Sequence, residues 1–165
     1  MTALGNIQAG GRILASVVQG VAPLAVIKGA DQTVTSSTTV VNDNALVLPV
    51  VANATYLFLC YLDYEGGTTG GSDLKWVWSV PSSGTLRYQR INFDPSNATQ
   101  LSTLSGATTG TARTNGTNLQ GVTMFGSLIM SSTAGNLQLQ WAQNTSSGTG
   151  TIVHAQSYLA LWRIS

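Results

Sequence analysis

Two segments in the last third of the chain have the residue pattern of paired β-strands. In segment 137–144, Leu and Trp alternate with Gln and Ala, the period-2 pattern of a strand with one buried face. In segment 157–164 both alternating sets are largely apolar, so both faces require cover. A sandwich core covers one face of a sheet, and a neighbouring copy of the protein is the simplest cover for the other.

The same pattern continues towards the N-terminus, and no segment predicts a helix. Segment 56–64 is apolar on both faces, which predicts a central strand. Segment 94–118 has little periodicity, which predicts a surface excursion containing one short strand. The chain therefore predicts an all-β fold, an antiparallel β-sandwich of jelly-roll type. Further strands are predicted, between turns rich in Asn, Gly, Pro and Ser, at residues 32–41, 45–51, 73–80, 85–93 and 121–130.

Residues 1–29 differ from the rest of the chain. Glycines interrupt small apolar residues there without a helical or strand period. We interpret residues 1–29 as an extended N-terminal arm that anchors the protein, and residues 30–165 as the sandwich domain. The alternative is that the arm supplies an edge strand or two of the same sandwich, since segments 17–18 and 24–27 suit strands.

Charge is scarce and limits the partners. Of 165 residues only 8% are charged, and the net charge is +1. Such a surface has little electrostatic repulsion between copies, so we expect an oligomer or a lattice component. Seven lysines and arginines without a basic cluster do not suit a phosphate backbone, so nucleic acid is not expected as a partner.

The apolar segments and the single cysteine do not indicate a membrane or a disulfide. No segment reaches the ~18 consecutive apolar residues of a membrane span, and segment 13–27 is interrupted by Gln19, Gly20 and Pro23. Its start and its flanking charge do not fit a signal peptide. Cys60 lies in an apolar run, which predicts a buried thiol.

Few residues suit catalysis or metal binding. His154 is the single histidine and no G-x-S-x-G motif accompanies it, so we expect a structural or solvent-facing role, no enzymatic activity and no cofactor. Asp63, Glu65 and Asp73 flank a Gly-rich loop and are candidate Ca²⁺ ligands. The alternative for these three is that they solubilise the loop.

Aromatic residues raise the question of sugar binding, because their ring faces stack on sugars. The four tryptophans are Trp76, Trp78, Trp141 and Trp162. All four lie on strand faces predicted to be core. The tryptophans are therefore expected to pack in the core, and a carbohydrate site, if the chain has one, is expected in loops or at a subunit junction.

Several segments together resemble a known family. They are residues 31–40, 52–58 and 74–78, then 134–144 and 157–164, and the likeness runs from Gln32 to Ile164. This part of the chain resembles the jelly-roll domains, TNF-like or C1q-like, of structural proteins in tailed bacteriophages, especially phages of actinobacteria. The resemblance implies a homotrimer found on minor tail proteins and fibres or as small proteins decorating heads.

The shortness of the predicted arm favours head decoration over a large tail fibre, because a large tail fibre would need a long attachment domain. We therefore expect a capsid decoration or head-fibre protein, made in the bacterial host cytoplasm, that docks on the major capsid protein at the virion surface. The alternative is a tail-associated module that recognises host glycans through loops 65–72 and 94–118. Expected trimer contacts are Tyr61, Gln138, Gln140, Leu159 and Leu161, and expected docking residues are Arg12, Ile13, Leu14, Val17 and Val18.

Overall fold

The computed structural model describes residues 22–66, 74–93, 99–116 and 118–165. Within these ranges the chain forms β-strands and no helix, because alternating apolar residues recur between short turns. The strands are β1 (Leu24–Ile27), β2 (Gln32–Val34), β3 (Val41–Val50), β4 (Thr55–Gly66), β5 (Leu74–Ser79), β6 (Thr85–Phe93), β7 (Thr99–Ser105), β8 (Gly110–Ala112), β9 (Gln120–Ile129), β10 (Gly135–Gln143), β11 (Thr151–Val153) and β12 (Tyr158–Arg163).

The strands form two antiparallel sheets that pack as a sandwich. The larger sheet has the order β1-β12-β4-β9-β6-β7, with β11 beside the far end of β4 and β2 beside β11. The smaller sheet has the order β3-β10-β5-β8. The predicted all-β antiparallel sandwich is confirmed, and the arrangement is consistent with a jelly roll.

Strand β4 lies in the middle of the larger sheet, as its apolar faces predicted. It pairs with β12 on one side and with β9 on the other. Its even-numbered residues from Tyr56 to Tyr64 point into the core and are at most 2% exposed. On the facing sheet, Trp76, Leu139 and Trp141 are fully buried and pack into the same core.

Some segments differ from their predicted structure. The predicted strand 32–41 is interrupted after Val34, and β3 begins at Val41 and runs through residues 42–44, where a turn was expected. Residues 94–118 contain two strands, β7 and β8, where one short strand was expected. Residues 24–27 form edge strand β1 beside β12, which is the alternative stated for this part of the predicted arm. Residues 1–21 lie outside the described part of the chain.

Candidate interaction surface

The outer face of the larger sheet is apolar. Odd-numbered residues of β4 point outwards, and the register places Leu57 beside Trp162, and Tyr61 beside Tyr158. On its other side, β4 places Leu59 beside Phe125 of β9. We call the large apolar residues on the outer face of β1, β12, β4 and β9 the outer patch: Ile27, Leu57, Leu59, Tyr61, Phe125, Ile129, Tyr158 and Trp162.

Much of the outer patch is open to solvent within the described chain. Ile27 is 67% exposed, Ile129 is 54% and Leu57 is 50%. Farther along the same face, Ile91 and Leu101 lie side by side on β6 and β7 and are also exposed. A monomeric soluble protein rarely exposes so many large apolar residues on one continuous face, so this face is a candidate contact surface.

Charge is confined to the borders of the outer patch. Its large residues are separated by Ala25, Ala160, Thr123 and Ser127, so no charged side chain lies among them. Arg87 borders the patch, opposite Ser127. Asp63 and Glu65 lie farther along β4. A partner therefore meets an uncharged surface.

Two tyrosine rings lie together at one end of the outer patch. The ring centroids of Tyr61 and Tyr158 are 5.8 Å apart, with an angle of 31° between the ring planes. Partial burial and the nearby Asp63 carboxylate raise the pKa of Tyr61. The Tyr61 hydroxyl is therefore neutral at physiological pH, and it offers a partner a hydrogen bond without charge.

The structure does not bring the five expected trimer contacts together. Leu159 and Leu161 are fully buried in the core of the single chain, so the expected exposure of these two residues is wrong. The two faces of β12 are the reverse of those expected, because Leu159 and Leu161 pair with Cys60 and Phe58 on the inner side of β4.

The other three expected contacts lie on two opposite faces of the sandwich. Tyr61 is in the outer patch. Gln138 and Gln140 are half-buried on the outer face of the smaller sheet and are bonded within the chain. The Gln138 amide donates to the backbone oxygens of Asp43 and Leu46, where β3 bulges. The five residues therefore do not form one interface.

Several expected sites fall outside the described residues. The docking residues Arg12, Ile13, Leu14, Val17 and Val18 belong to residues 1–21, and Asp73 belongs to residues 67–73. Most of loop 65–72 is likewise outside. In the part of the chain that is described, no group of three or more His, Cys, Asp or Glu side chains is placed to hold a metal ion. The same residues contain no helix of the length and apolarity that crossing a bilayer requires.

His154 lies between two carboxylates. Its Nδ1 is 3.2 Å from Asp31 Oδ2, and its Nε2 is 3.8 Å from Glu65 Oε2. Because both ring nitrogens face carboxylates, this geometry lacks the histidine-to-hydroxyl contact by which an imidazole activates a nucleophile. His154 instead links the β1–β2 turn to β4 and to the β11–β12 connection.

The tryptophans and the cysteine largely occupy the core. Trp76, Trp78 and Trp141 are at most 3% exposed, whereas Trp162 is half-buried in the outer patch and was wrongly assigned to the core. Cys60 is buried as predicted, and burial raises the pKa of its thiol.

Strand β9 carries a further sequence signal for the outer patch. Phe125 and Ile129 alternate with the buried Met124 and Leu128, so β9 has two apolar faces, as β4 does. Neighbouring strands that are both apolar on two faces indicate an apolar outer surface once their pairing is known.

Comparison with known proteins gives no family. No protein-family model matches the chain, and no curated protein matches it. Among solved structures it is similar to infectious bursal disease virus of the Gt strain, with 8% identity and a TM-score of 0.23 over 87% of this chain and 38% of that chain. It is also similar to the virus of the Gx strain, with 7% identity and a TM-score of 0.23 over 87% of this chain and 37% of that chain. The chain spans well under half the length of either viral chain.

Proposed function

We propose that this chain is a non-enzymatic structural protein of a virus particle, a homotrimer that docks on the exterior of a phage capsid and stabilises it. The observation that carries the proposal is the outer patch, an uncharged apolar surface on the larger sheet. The patch is covered by the other copies of this chain in the trimer. The sequence resemblance to phage jelly-roll domains supports the particle setting.

The size of the outer face fits a contact between copies. The four strands of the outer patch, about 4.8 Å apart and with about four outward residues each, give roughly 500 Å². Including β6 and β7, which add the exposed Ile91 and Leu101, the outer face of the sheet measures roughly 30 by 25 Å, or about 750 Å². A stable interface of ordinary size buries about 800 Å² on each partner. The larger sheet therefore presents enough surface for a specific contact without other elements.

The charge of the protein also favours a second copy. The net charge is +1 and the outer patch itself is uncharged, so the patches of three copies meet around a threefold axis without repulsion or buried unpaired charge. A charged partner would find no opposite charge within the patch. Three copies held in this way present three arms, and simultaneous docking of the arms strengthens the attachment to a capsid.

The docking part of the proposal assigns Arg12, Ile13, Leu14, Val17 and Val18 to the contact with the major capsid protein. Trimers placed across subunit junctions stabilise the shell by mass action, because they bind the assembled state and not the separated subunits. The runner-up, a tail-associated module, would attach in far fewer copies per particle.

Two experiments test this function. The first measures the mass of the purified protein in solution by light scattering. We expect a trimer for the wild type and a monomer for Phe125→Asp, which places a charge in the centre of the outer patch. Val51→Asp is the matched control, because Val51 is similarly exposed but lies in the β3–β4 turn. A Phe125→Asp variant that remains trimeric removes the outer patch as the contact.

The second experiment counts copies in purified phage particles by quantitative mass spectrometry against the major capsid protein. One copy per capsid subunit, or one trimer per capsomer junction, is the expected result. A few to tens of copies per particle would indicate the tail or a vertex fibre, and absence would remove the virion proposal.

A further inference from the structure

Two opposite charges border the outer patch without a partner in their own chain. Arg87 of β6 is exposed, and Asp63 of β4 is half-buried. Both side chains point outwards, because Asp63 belongs to the odd-numbered face of β4 and Arg87 lies opposite Ser127 of β9. Among the described residues, neither charged group makes an ion pair or a hydrogen bond. Both charges are therefore available to a partner.

The other described acid on this face is already engaged. Glu65 Oε2 faces His154 Nε2 at 3.8 Å. Asp63 lies closer to the outer patch and acts on it, since its carboxylate, after burial, is the next cause of the raised pKa of Tyr61. Asp63 is thus the acid on this face that is left to pair with Arg87.

The two charges are too far apart to pair within one chain. Asp63 is opposite Gly121 of β9, and Arg87 is opposite Ser127, so their levels differ by six residues or roughly 20 Å along the strand. Strands β4 and β6 lie on either side of β9, which adds roughly 10 Å across the sheet. Their backbone positions are therefore roughly 22 Å apart, at two opposite corners of the outer patch.

We infer that Arg87 of one copy pairs with Asp63 of the next copy, three times around the threefold axis of the trimer. The inference rests on the proposed function, because it specifies how the copies meet at the outer patch. A charge that is covered without a partner costs free energy, which an opposite charge offsets. A cyclic trimer places one border of each copy against a different border of the next, so opposite charges at two corners suit it.

The dimensions of the outer face support a closed ring. When each face forms one side of a triangle, with roughly 22 Å between its pairing corners, the middle of each side lies roughly 6 Å from the axis. Thr123 and Phe125 of β9 are the outward residues midway between the corners. An aromatic side chain is long enough to fill this space, so three Phe125 rings meet at the axis. Groups that pair around a threefold axis lie at the same height on it, so the axis crosses the strands obliquely.

Charge reversal tests the pair, with the mass in solution measured by light scattering over a range of protein concentrations. We expect Arg87→Asp and Asp63→Arg each to raise the concentration at which the trimer forms by at least about tenfold, because like charges then meet at all three corners. The double variant carrying both changes restores opposite charges and should return the wild-type mass. Lys75→Asp is the matched control, since Lys75 lies on the outer face of the smaller sheet, and it should remain trimeric.

The outcomes separate this inference from the proposed function. A wild-type protein that stays monomeric at every concentration overturns the proposed function, and the pair with it. A wild-type trimer that both single reversals leave unchanged, or that the double variant fails to restore, overturns the pair alone and leaves the outer patch as the contact. A wild-type dimer overturns the threefold arrangement. Restoration by the double variant also shows that the single variants lose assembly and not folding.

Discussion

The ammonium group of Lys28 lies 3.0 Å from Asp43 Oδ2, and both side chains are fully buried. Asp43 also accepts hydrogen bonds from the backbone N–H groups of Ala45 and Leu46, and from Trp141 Nε1. The pair joins the segment after β1 in the larger sheet to the bulge of β3 in the smaller sheet. One carboxylate thus satisfies the buried polar groups of three elements.

Breaking this pair should be costly. We predict that Lys28→Met lowers the free energy of unfolding by about 3–5 kcal/mol, because it leaves the Asp43 carboxylate buried without its counter-charge. Urea unfolding followed by tryptophan fluorescence measures the change. Lys75→Met is the control, because Lys75 is half-buried on the outer face of β5, and should change stability by less than about 0.5 kcal/mol. Equal effects of the two variants would contradict the prediction.

Acid should weaken the turn between β1 and β2. The backbone N–H of Ala155 donates to Asp31 Oδ1 at 2.7 Å, and this bond, followed by the His154 contact, holds the Asp31 pKa below its ordinary value of 3.8. A lowered pKa in the folded state means that the carboxylate contributes stability above pH ~4 and loses it as pH falls through the folded value.

The variant Asp31→Asn isolates this contribution. We expect wild type to exceed Asp31→Asn in urea midpoint at neutral pH, and the difference to shrink at pH ~3, where the carboxyl groups take up protons. Because Asp31 is exposed, added salt should also reduce the difference. A difference that stays constant from neutral pH to pH ~3 would show that the charge of Asp31 has no part in it.

Alkali should destabilise the core through Tyr88. Burial raises the pKa of Tyr88 from 10.0 to about 12. The folded state favours the neutral phenol over the phenolate. The contribution of Tyr88 to the free energy of unfolding is therefore at its full value below pH ~10, and it is lost as pH rises towards ~12. Tyr88→Phe should reduce the steepness of this loss. At neutral pH the same variant should cost about 1–3 kcal/mol, because Trp76 Nε1 loses its buried acceptor. Urea midpoints measured across this pH range give both results.

Gly126 allows three strands to approach closely. It lies in register between Phe58 and Tyr88, whose ring centroids are 5.9 Å apart. A Cβ at this position would collide with the backbone of Arg87 and Tyr88. We predict that Gly126→Ala destabilises the protein by about 1–3 kcal/mol or more.

The matched control for Gly126→Ala is Gly148→Ala. A Cβ at Gly148, in the β10–β11 connection, would meet no atom within 4 Å, so this variant should stay within about 0.5 kcal/mol of wild type. Thermal unfolding of the two variants side by side measures both effects. If the two variants were destabilised equally, the backbone around Gly126 would be shown to shift and accommodate the added methyl group without cost.

The sequence by itself determined most of the strands and the class of fold. Alternation in segments such as 56–64 and 137–144 reports which residues share a strand face, because side chains of a strand alternate strictly between two sides. It also identified β4 as central and Cys60 as buried, since an apolar run with two apolar faces needs neighbours on both sides.

Only the tertiary structure decided which face is inside and which residues meet across the sheets. Alternation groups Leu159 with Leu161 and Tyr158 with Trp162, but it is symmetric about the strand and does not say which group faces the core. Register against β4 settles that choice. The Lys28–Asp43 pair and the outer patch likewise depend on contacts between residues far apart in the chain, and local periodicity carries no information about them.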